Sequence, residues 1–201
     1  MFKSLLAGLL LALLLLPVGG AAGLRAQSDS AAIAARLVDY ERVTRAMDID
    51  SVLNFIDPKL FELVPRDMMR AQFEQTLFDT NMVMSFDAFT VDQISPSITH
   101  DAVDYALVDY RGAMSMTMAS AEYREPDFFG MMSGMIAAQF GADKVAIDTV
   151  AYRLDIQTDK SLVAIRRPGD PDWYFIEYQE GQRELMGAIV PEEAWRKLKP
   201  E

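Results

Sequence analysis

Residues 101–118, DAVDYALVDYRGAMSMTM, decide the fold class of this chain. Apolar and polar side chains alternate along this stretch, which is the pattern of a β-strand with two different faces. Val103, Tyr105 and Leu107 fall on one face, with Asp104 on the other. Gly112 marks a point where such a strand bends. The stretch therefore predicts one long, bent strand at the centre of a sheet.

Helices are predicted before this strand. Apolar residues recur at three- and four-residue spacing in each of them, as in amphipathic helices. The predicted ranges are 30–47, 52–56 and 66–80. Asp29-Ser30 caps the first helix in this interpretation, and either Asp50 or Ser51 caps the second.

The remaining elements are mostly strands. The patterns predict strands at residues 82–94, 144–157, 162–166 and 173–178, and helices at 126–140 and 191–198. Tight turns are expected at 158–160 and 180–181. The sequence thus predicts an α+β fold, with N-terminal helices packed on a curved antiparallel sheet, one inserted helix and a C-terminal helix.

Residues 1–26 have the layout of a secretory signal peptide. Lys3 gives a basic start, residues 5–18 are almost entirely apolar, and small residues lead to Ala26. The apolar run is shorter than the roughly 20 residues of a membrane-spanning helix. We expect cleavage after Ala26, or second after Ala22. The mature protein is then a single domain over residues 27–201, periplasmic or secreted, with no attachment to a membrane.

The chain is acidic, with a formal net charge of −11 over 201 residues. The leader contains Lys3 and Arg25 but no acid, so its removal lowers the charge to −13. Such a surface repels nucleic-acid phosphates and anionic lipids, and nucleic-acid binding is not expected. Arg166-Arg167 is interpreted as a solvated turn, with docking of a partner as the minor alternative.

Cysteine is absent, and His100 is the only histidine. These counts exclude disulfides, a cysteine nucleophile, thiolate metal sites and any site built from two imidazoles. No cofactor and no metal are therefore expected. The spacing identifies no acidic partner for His100, which favours a surface position over a role as general base.

The order of these elements resembles the nuclear transport factor 2-like (NTF2-like) superfamily, which includes ketosteroid isomerase and SnoaL-type cyclases. The resemblance rests on a long first helix, a short helix ending in DPKLF (57–61), and the aromatic strand DWYFIE (172–177). It covers residues 29–179. The helix at 126–140 is an insertion, and the helix at 191–198 is an added tail.

This resemblance implies a cone with an apolar pocket at its open end. The first hypothesis is an exported, non-catalytic domain that binds an apolar small molecule or a protein, with a homodimer through the open sheet face as a further expectation. The candidate pocket residues are Tyr40, Phe73, Phe86, Met114, Met116 and Phe129.

An isomerase- or cyclase-type enzyme is the first alternative. The resemblance implies a carboxylate base and a tyrosine in an apolar site, where burial raises the pKa of an acid. Tyr40 lies on the inner stripe of the first helix, and several aspartates lie on predicted strands. No position matches the family's catalytic pattern, so no catalytic residue is assigned. The strand aspartates are Asp104, Asp109, Asp148 and Asp155, for which a solvated sheet face is favoured.

A copper-binding protein is the second alternative. The chain has 13 methionines, several of which share one face of a strand or helix. Thioethers bind Cu(I), but methionine also fills irregular cores and lines adaptable pockets. Packing is the favoured interpretation. The groups concerned are Met82/Met84, Met114/Met116/Met118 and Met131/Met132/Met135.

Overall fold

The computed structural model describes residues 20–178 and 186–199, with side chains described from Arg25 onward except Ala26. Within these residues the chain has an α+β fold, with six α-helices and a curved, six-stranded antiparallel sheet that does not close. The predicted fold class is confirmed. The predicted turn at 180–181 lies outside the described residues. No helix in the described part is long and apolar enough to cross a membrane.

The strands of the sheet are β1 (Met82–Ile94), β2 (Ile98–His100), β3 (Val103–Met118), β4 (Val145–Asp148), β5 (Arg153–Arg166) and β6 (Tyr174–Tyr178). β3 is the central strand. β1 pairs along one side of it and β5 along the other, while β4 and β6 pair with β5, and β2 pairs with the start of β3. The helices are α1 (Gly20–Arg45), α2 (Ile49–Leu53), α3 (Leu60–Leu63), α4 (Arg66–Leu77), α5 (Pro126–Phe140) and α6 (Glu192–Leu198).

Several predicted elements are confirmed. β1 and α5 have the predicted bounds, and β3 continues through Gly112 as one long strand. Gly141 ends α5 with φ at +100°, a backbone conformation that favours glycine. α6 begins at Glu192, directly after Pro191, which takes the capping position.

The helix starts differ from the predictions. α1 already includes Gly20, so Asp29 lies inside the helix and caps nothing. α2 covers residues 49–53 because Met47 ends α1 in the left-handed region (φ 51°) and Asp48 then caps the next helix. The Asp48 carboxylate accepts from the backbone N–H of Ser51 at 3.2 Å. The predicted cap at Asp50 or Ser51 is therefore wrong, and α4 also ends three residues earlier than predicted.

The predicted turn at 158–160 is wrong as well. These residues continue β5, where they pair with residues 110–112 of β3. The chain turns earlier, at 149–152. There the Asp148 carboxylate accepts from the backbone N–H groups of Val150 and Ala151, both at 2.9 Å, and Tyr152 has a positive φ. An aspartate that bonds the backbone ahead of it in this way stabilises a turn.

The two helical layers cover different parts of one sheet face. β3 and β5 pair without a register shift from Asp104 to Thr117, so the even-numbered residues of β3 stay on one face. α1 packs on this face near Ala106 and Val108, and α5 packs on it near Met116 and Met118. The opposite face is covered by residues 186–198, including α6. A gap is therefore left between α1 and α5.

Candidate functional site

A cavity of about 230 Å³ lies in this gap. α1, α2 and α4 form one wall, and β1, β3, β5 and β6 form the rest. Five aromatic rings line the cavity, namely Tyr40, Phe73, Phe86, Phe89 and Tyr110. The lining is mostly apolar with a small polar region, which is typical of sites that bind small organic molecules.

Gly112 keeps the floor of the cavity open. It lies in the middle of β3, opposite Thr158 of β5. A Cβ atom at this position would come within 2.9 Å of the Thr158 hydroxyl oxygen, closer than real Cβ contacts. Any larger residue would therefore have to displace the buried Thr158 side chain, so glycine is required by close approach.

The aromatic wall is held by ring contacts. Tyr40 packs against Phe55, Phe89 and Phe175, with ring centroids 5.6, 6.1 and 5.8 Å apart. Phe89 in turn lies 4.6 Å from the Tyr110 ring. Aromatic pairs at these separations stabilise one another beyond their buried area. The Tyr40 ring is thus fixed from three sides.

One polar region of the cavity is formed by Lys160, Glu177 and two phenols. The Lys160 ammonium donates to the Glu177 carboxylate. Burial, followed by the Glu177 charge, raises the pKa of Tyr40 to about 12 against the opposing effect of the Thr44 hydroxyl. Burial, followed by the same Glu177 charge, also holds the pKa of Tyr110 well above its ordinary value. Both phenols are therefore protonated at neutral pH and can donate hydrogen bonds.

A second ion pair also lines the cavity. The Arg45 guanidinium pairs with Glu41 at 3.2 Å and also donates to the backbone carbonyl of Asp87. Asp87 is the extra residue of a β-bulge in β1, between Phe86 and Ala88. Bulges commonly re-aim side chains near functional sites. This contact ties the C-terminal end of α1 to the bulge.

The structure brings four of the six predicted pocket residues together. Tyr40, Phe73, Phe86 and Met114 line the cavity. Met116 and Phe129 do not line it, because they pack under α5 in a separate apolar cluster. After Met114, the even-numbered residues of β3 are covered by α5.

Sequence reasoning missed the polar region. The predicted turn at 158–160 includes Thr158 and Lys160. A turn would not place these residues on the sheet face that carries Tyr110. Continuous β5 pairs Lys160 with Tyr110 and Thr158 with Gly112. The alternation Lys160, Leu162, Ala164 was the available signal, since it extends the buried face of the strand by two residues.

The strand aspartates do not line the cavity. Asp148 holds its turn, Asp155 pairs with Arg153 at 2.7 Å, and Asp109 accepts from the Ser161 hydroxyl. Asp104 is buried. The prediction that it lies on a solvated sheet face is therefore wrong. The carboxylates that line the cavity are Glu41 and Glu177.

Asp104 belongs to an ionic network at the far end of the sheet. Arg166 donates to Asp104 at 2.9 Å and to Asp29 at 2.8 Å, and the exposed Arg25 also contacts Asp104. Arg167 donates to the fully buried Asp57 at 3.0 Å. The interpretation of Arg166-Arg167 as a solvated turn is therefore wrong, because both guanidiniums are needed by buried acids.

His100 lies in β2 with its side chain 12 % exposed. Its Nε2 is 3.5 Å from the Asp101 carboxylate and 3.7 Å from that of Glu193. The second carboxylate comes from α6, so only the tertiary structure supplies it. No group of three or more His, Asp or Glu side chains able to hold a metal occurs in the described residues.

The largest group of methionines packs around α5. Five of them lie in or against the apolar cluster under this helix: Met82, Met114, Met116, Met118 and Met132. Met131 and Met135 are 56 % and 65 % exposed on its outer side. Met118 is fully buried, as expected of a flexible side chain that fills a core.

The sequence matches no protein-family model and no curated protein. The arrangement of the cavity is therefore what bears on function.

Proposed function

We propose that this chain is an exported, non-catalytic domain of NTF2-like architecture that binds an apolar small molecule in the cavity beside Tyr40. One observation carries this proposal: a cavity of about 230 Å³ with five aromatic side chains lies between α1, α2 and α4 on one side and the sheet on the other. An apolar ligand gains free energy by leaving water for such a lining.

The NTF2-like assignment is supported by element order. A long helix, short helices and a curved antiparallel sheet follow one another along the chain, with the cavity between the first helices and the sheet. Fold alone does not decide function. The choice between binding and catalysis therefore depends on the groups in the cavity.

Binding is preferred over the isomerase-type alternative for a chemical reason. That alternative needs a buried aspartate beside Tyr40, and none of the described aspartates lines the cavity. The carboxylates present, Glu41 and Glu177, each form an ion pair with a neighbouring cation. Both carboxylates are therefore already engaged with a cation.

Export is proposed from the leader sequence of residues 1–26. The full chain expressed in a bacterial host should be recovered from the periplasm or medium with a mass that begins at Gln27. Intact-mass spectrometry checks this. A full-length product that stays in the cytosol would contradict export without affecting the binding proposal.

Binding itself is testable with a neutral apolar fluorophore. The purified protein should bind N-phenyl-1-naphthylamine with enhanced, blue-shifted emission in a saturable titration. Leu77→Trp should weaken this binding at least about ten-fold, because Leu77 of α4 lines the cavity and the larger indole would occupy it.

Met68→Trp is the matched control. Met68 lies on the same helix but is 62 % exposed and does not line the cavity. This variant should bind the fluorophore like the unmodified protein. Equal binding by the two tryptophan variants, or no saturable binding by the unmodified protein, would refute the proposed function.

A further inference from the structure

The cavity adjoins an open groove of about 510 Å³. Thr158, Lys160 and Glu177 line both spaces. The Lys160–Glu177 ion pair therefore lies at the boundary between the cavity and the groove. A ligand with its apolar part in the cavity would place its other end at this pair and in the groove.

The groove is locally basic on an acidic chain. Three lysines line it, Lys144, Lys160 and Lys199, against the acids Asp159 and Glu177. Lys144 is held by Asp159 at 2.5 Å. Lys199 makes no salt bridge within residues 20–178 and 186–199, and its ammonium lies 4.7 Å from the centre of the Tyr178 ring. Among the residues that the structure describes, the groove lining thus has one more positive than negative side chain, beside an apolar cavity.

We propose that the ligand is a single-chain anionic amphiphile, whose apolar part fills the cavity and whose carboxylate or similar anion binds Lys160. This inference rests on the proposed function. An ammonium has three donors, so Lys160 can hold the ligand anion while still bonded to Glu177. The protonated Tyr40 and Tyr110 line the same cavity and supply further donors.

Other head groups fit the charges less well. A cation would have to compete with Arg45 and Lys160 for the two cavity glutamates, which these residues already bind. An uncharged alcohol could accept a hydrogen bond from these lysines, but it would carry no charge for them to attract. An anion gains a charge-assisted hydrogen bond, which is the stronger kind.

The test compares three head groups on the same chain. Isothermal titration calorimetry measures octanoate, 1-octanol and octyltrimethylammonium, all below micelle-forming concentrations. Octanoate should bind about ten-fold more tightly than octanol, the difference expected for one charge-assisted hydrogen bond. Octyltrimethylammonium should bind most weakly.

Variants assign the preference to the proposed residues. Lys160→Met should reduce the preference for octanoate over octanol to less than about two-fold, and Lys199→Met, at an exposed position, should reduce it by about two- to three-fold. Glu177→Gln should increase it, because Lys160 loses its competing carboxylate. Lys197→Met is the matched control: Lys197 is exposed on α6 and does not line the groove.

The results separate the two proposals. Equal binding of octanoate and octanol, tightest binding of the cation, or a preference that survives Lys160→Met would overturn the anionic ligand while leaving saturable fluorophore binding intact. Loss of fluorophore binding together with all three octyl compounds would instead refute the cavity as a binding site.

Discussion

Arg166→Met is expected to lower the free energy of unfolding by about 3–5 kcal/mol, the usual cost of breaking a buried ion pair by removing one partner. Arg166 donates to Asp29 and Asp104, whose side chains are only 5 % and 11 % exposed. Its guanidinium also lies 4.5 Å from the centre of the buried Trp173 ring. Urea denaturation monitored by tryptophan fluorescence measures the change.

Arg111→Met is the control for this prediction. Arg111 also makes a forked contact with a carboxylate, that of Asp92, but both side chains are well exposed. Exposed pairs contribute about 0–1 kcal/mol. If the two variants lose similar stability, burial does not decide the strength of the Arg166 contacts.

The pH dependence gives a second check on Arg166. Partial burial alone would raise the pKa of Asp104, but the Thr99 hydroxyl and the Arg166 guanidinium outweigh it and hold the pKa below its ordinary 3.8, and Arg25 adds to this only while the leader is attached. A lowered folded-state pKa stabilises the protein above the ordinary value, and this stability is lost as the pH falls through the lower one. As the pH falls below about 4, the free energy of unfolding should therefore decrease less for Arg166→Met than for the unmodified protein.

Arg167→Met is expected to cost about 3–5 kcal/mol for a related reason. Asp57 is fully buried, and Arg167 is its charged partner at 3.0 Å. Without this guanidinium, the carboxylate keeps the backbone N–H of Lys59 at 2.8 Å. Its Oδ2 atom has no hydrogen-bond partner among the described residues, so an unpaired charge would remain inside the protein.

A double-mutant cycle with Asp57→Asn tests this explanation. The neutral amide can still accept from Lys59, so Asp57→Asn/Arg167→Met should be more stable than Arg167→Met alone by about 1–3 kcal/mol. Denaturant unfolding of the four proteins gives the coupling free energy. Additive losses would mean that Arg167 acts through packing rather than through the Asp57 charge.

Local patterns were sufficient for most of the fold. Alternation predicted β1 and the long β3, and helical spacing bounded by Pro126 and Gly141 predicted α5. These signals depend on which neighbours along the chain share a face. The same kind of signal placed Tyr40, Phe73, Phe86 and Met114 on inner faces, and all four line the cavity.

Register and distant partners could not be predicted in this way. The turn assigned at 158–160 broke β5 in two, which hid Lys160 from its cross-strand neighbour Tyr110. Aspartate is a residue type that often caps helices, yet the Asp29 carboxylate pairs with Arg166, 137 residues away in the chain. Pairs of this kind depend on how the sheet brings remote segments together.

The sequence by itself determined the α+β class, the acidic and cysteine-free chemistry and the inner faces of its helices and strands, because each follows from composition or from spacing between near neighbours. Only the tertiary structure decided where α1 and α5 leave the sheet uncovered, and therefore where the cavity lies. It also brought Lys160, Glu177 and the two tyrosines to one point. Strand register and helix placement join residues far apart in the chain, and no local pattern records those contacts.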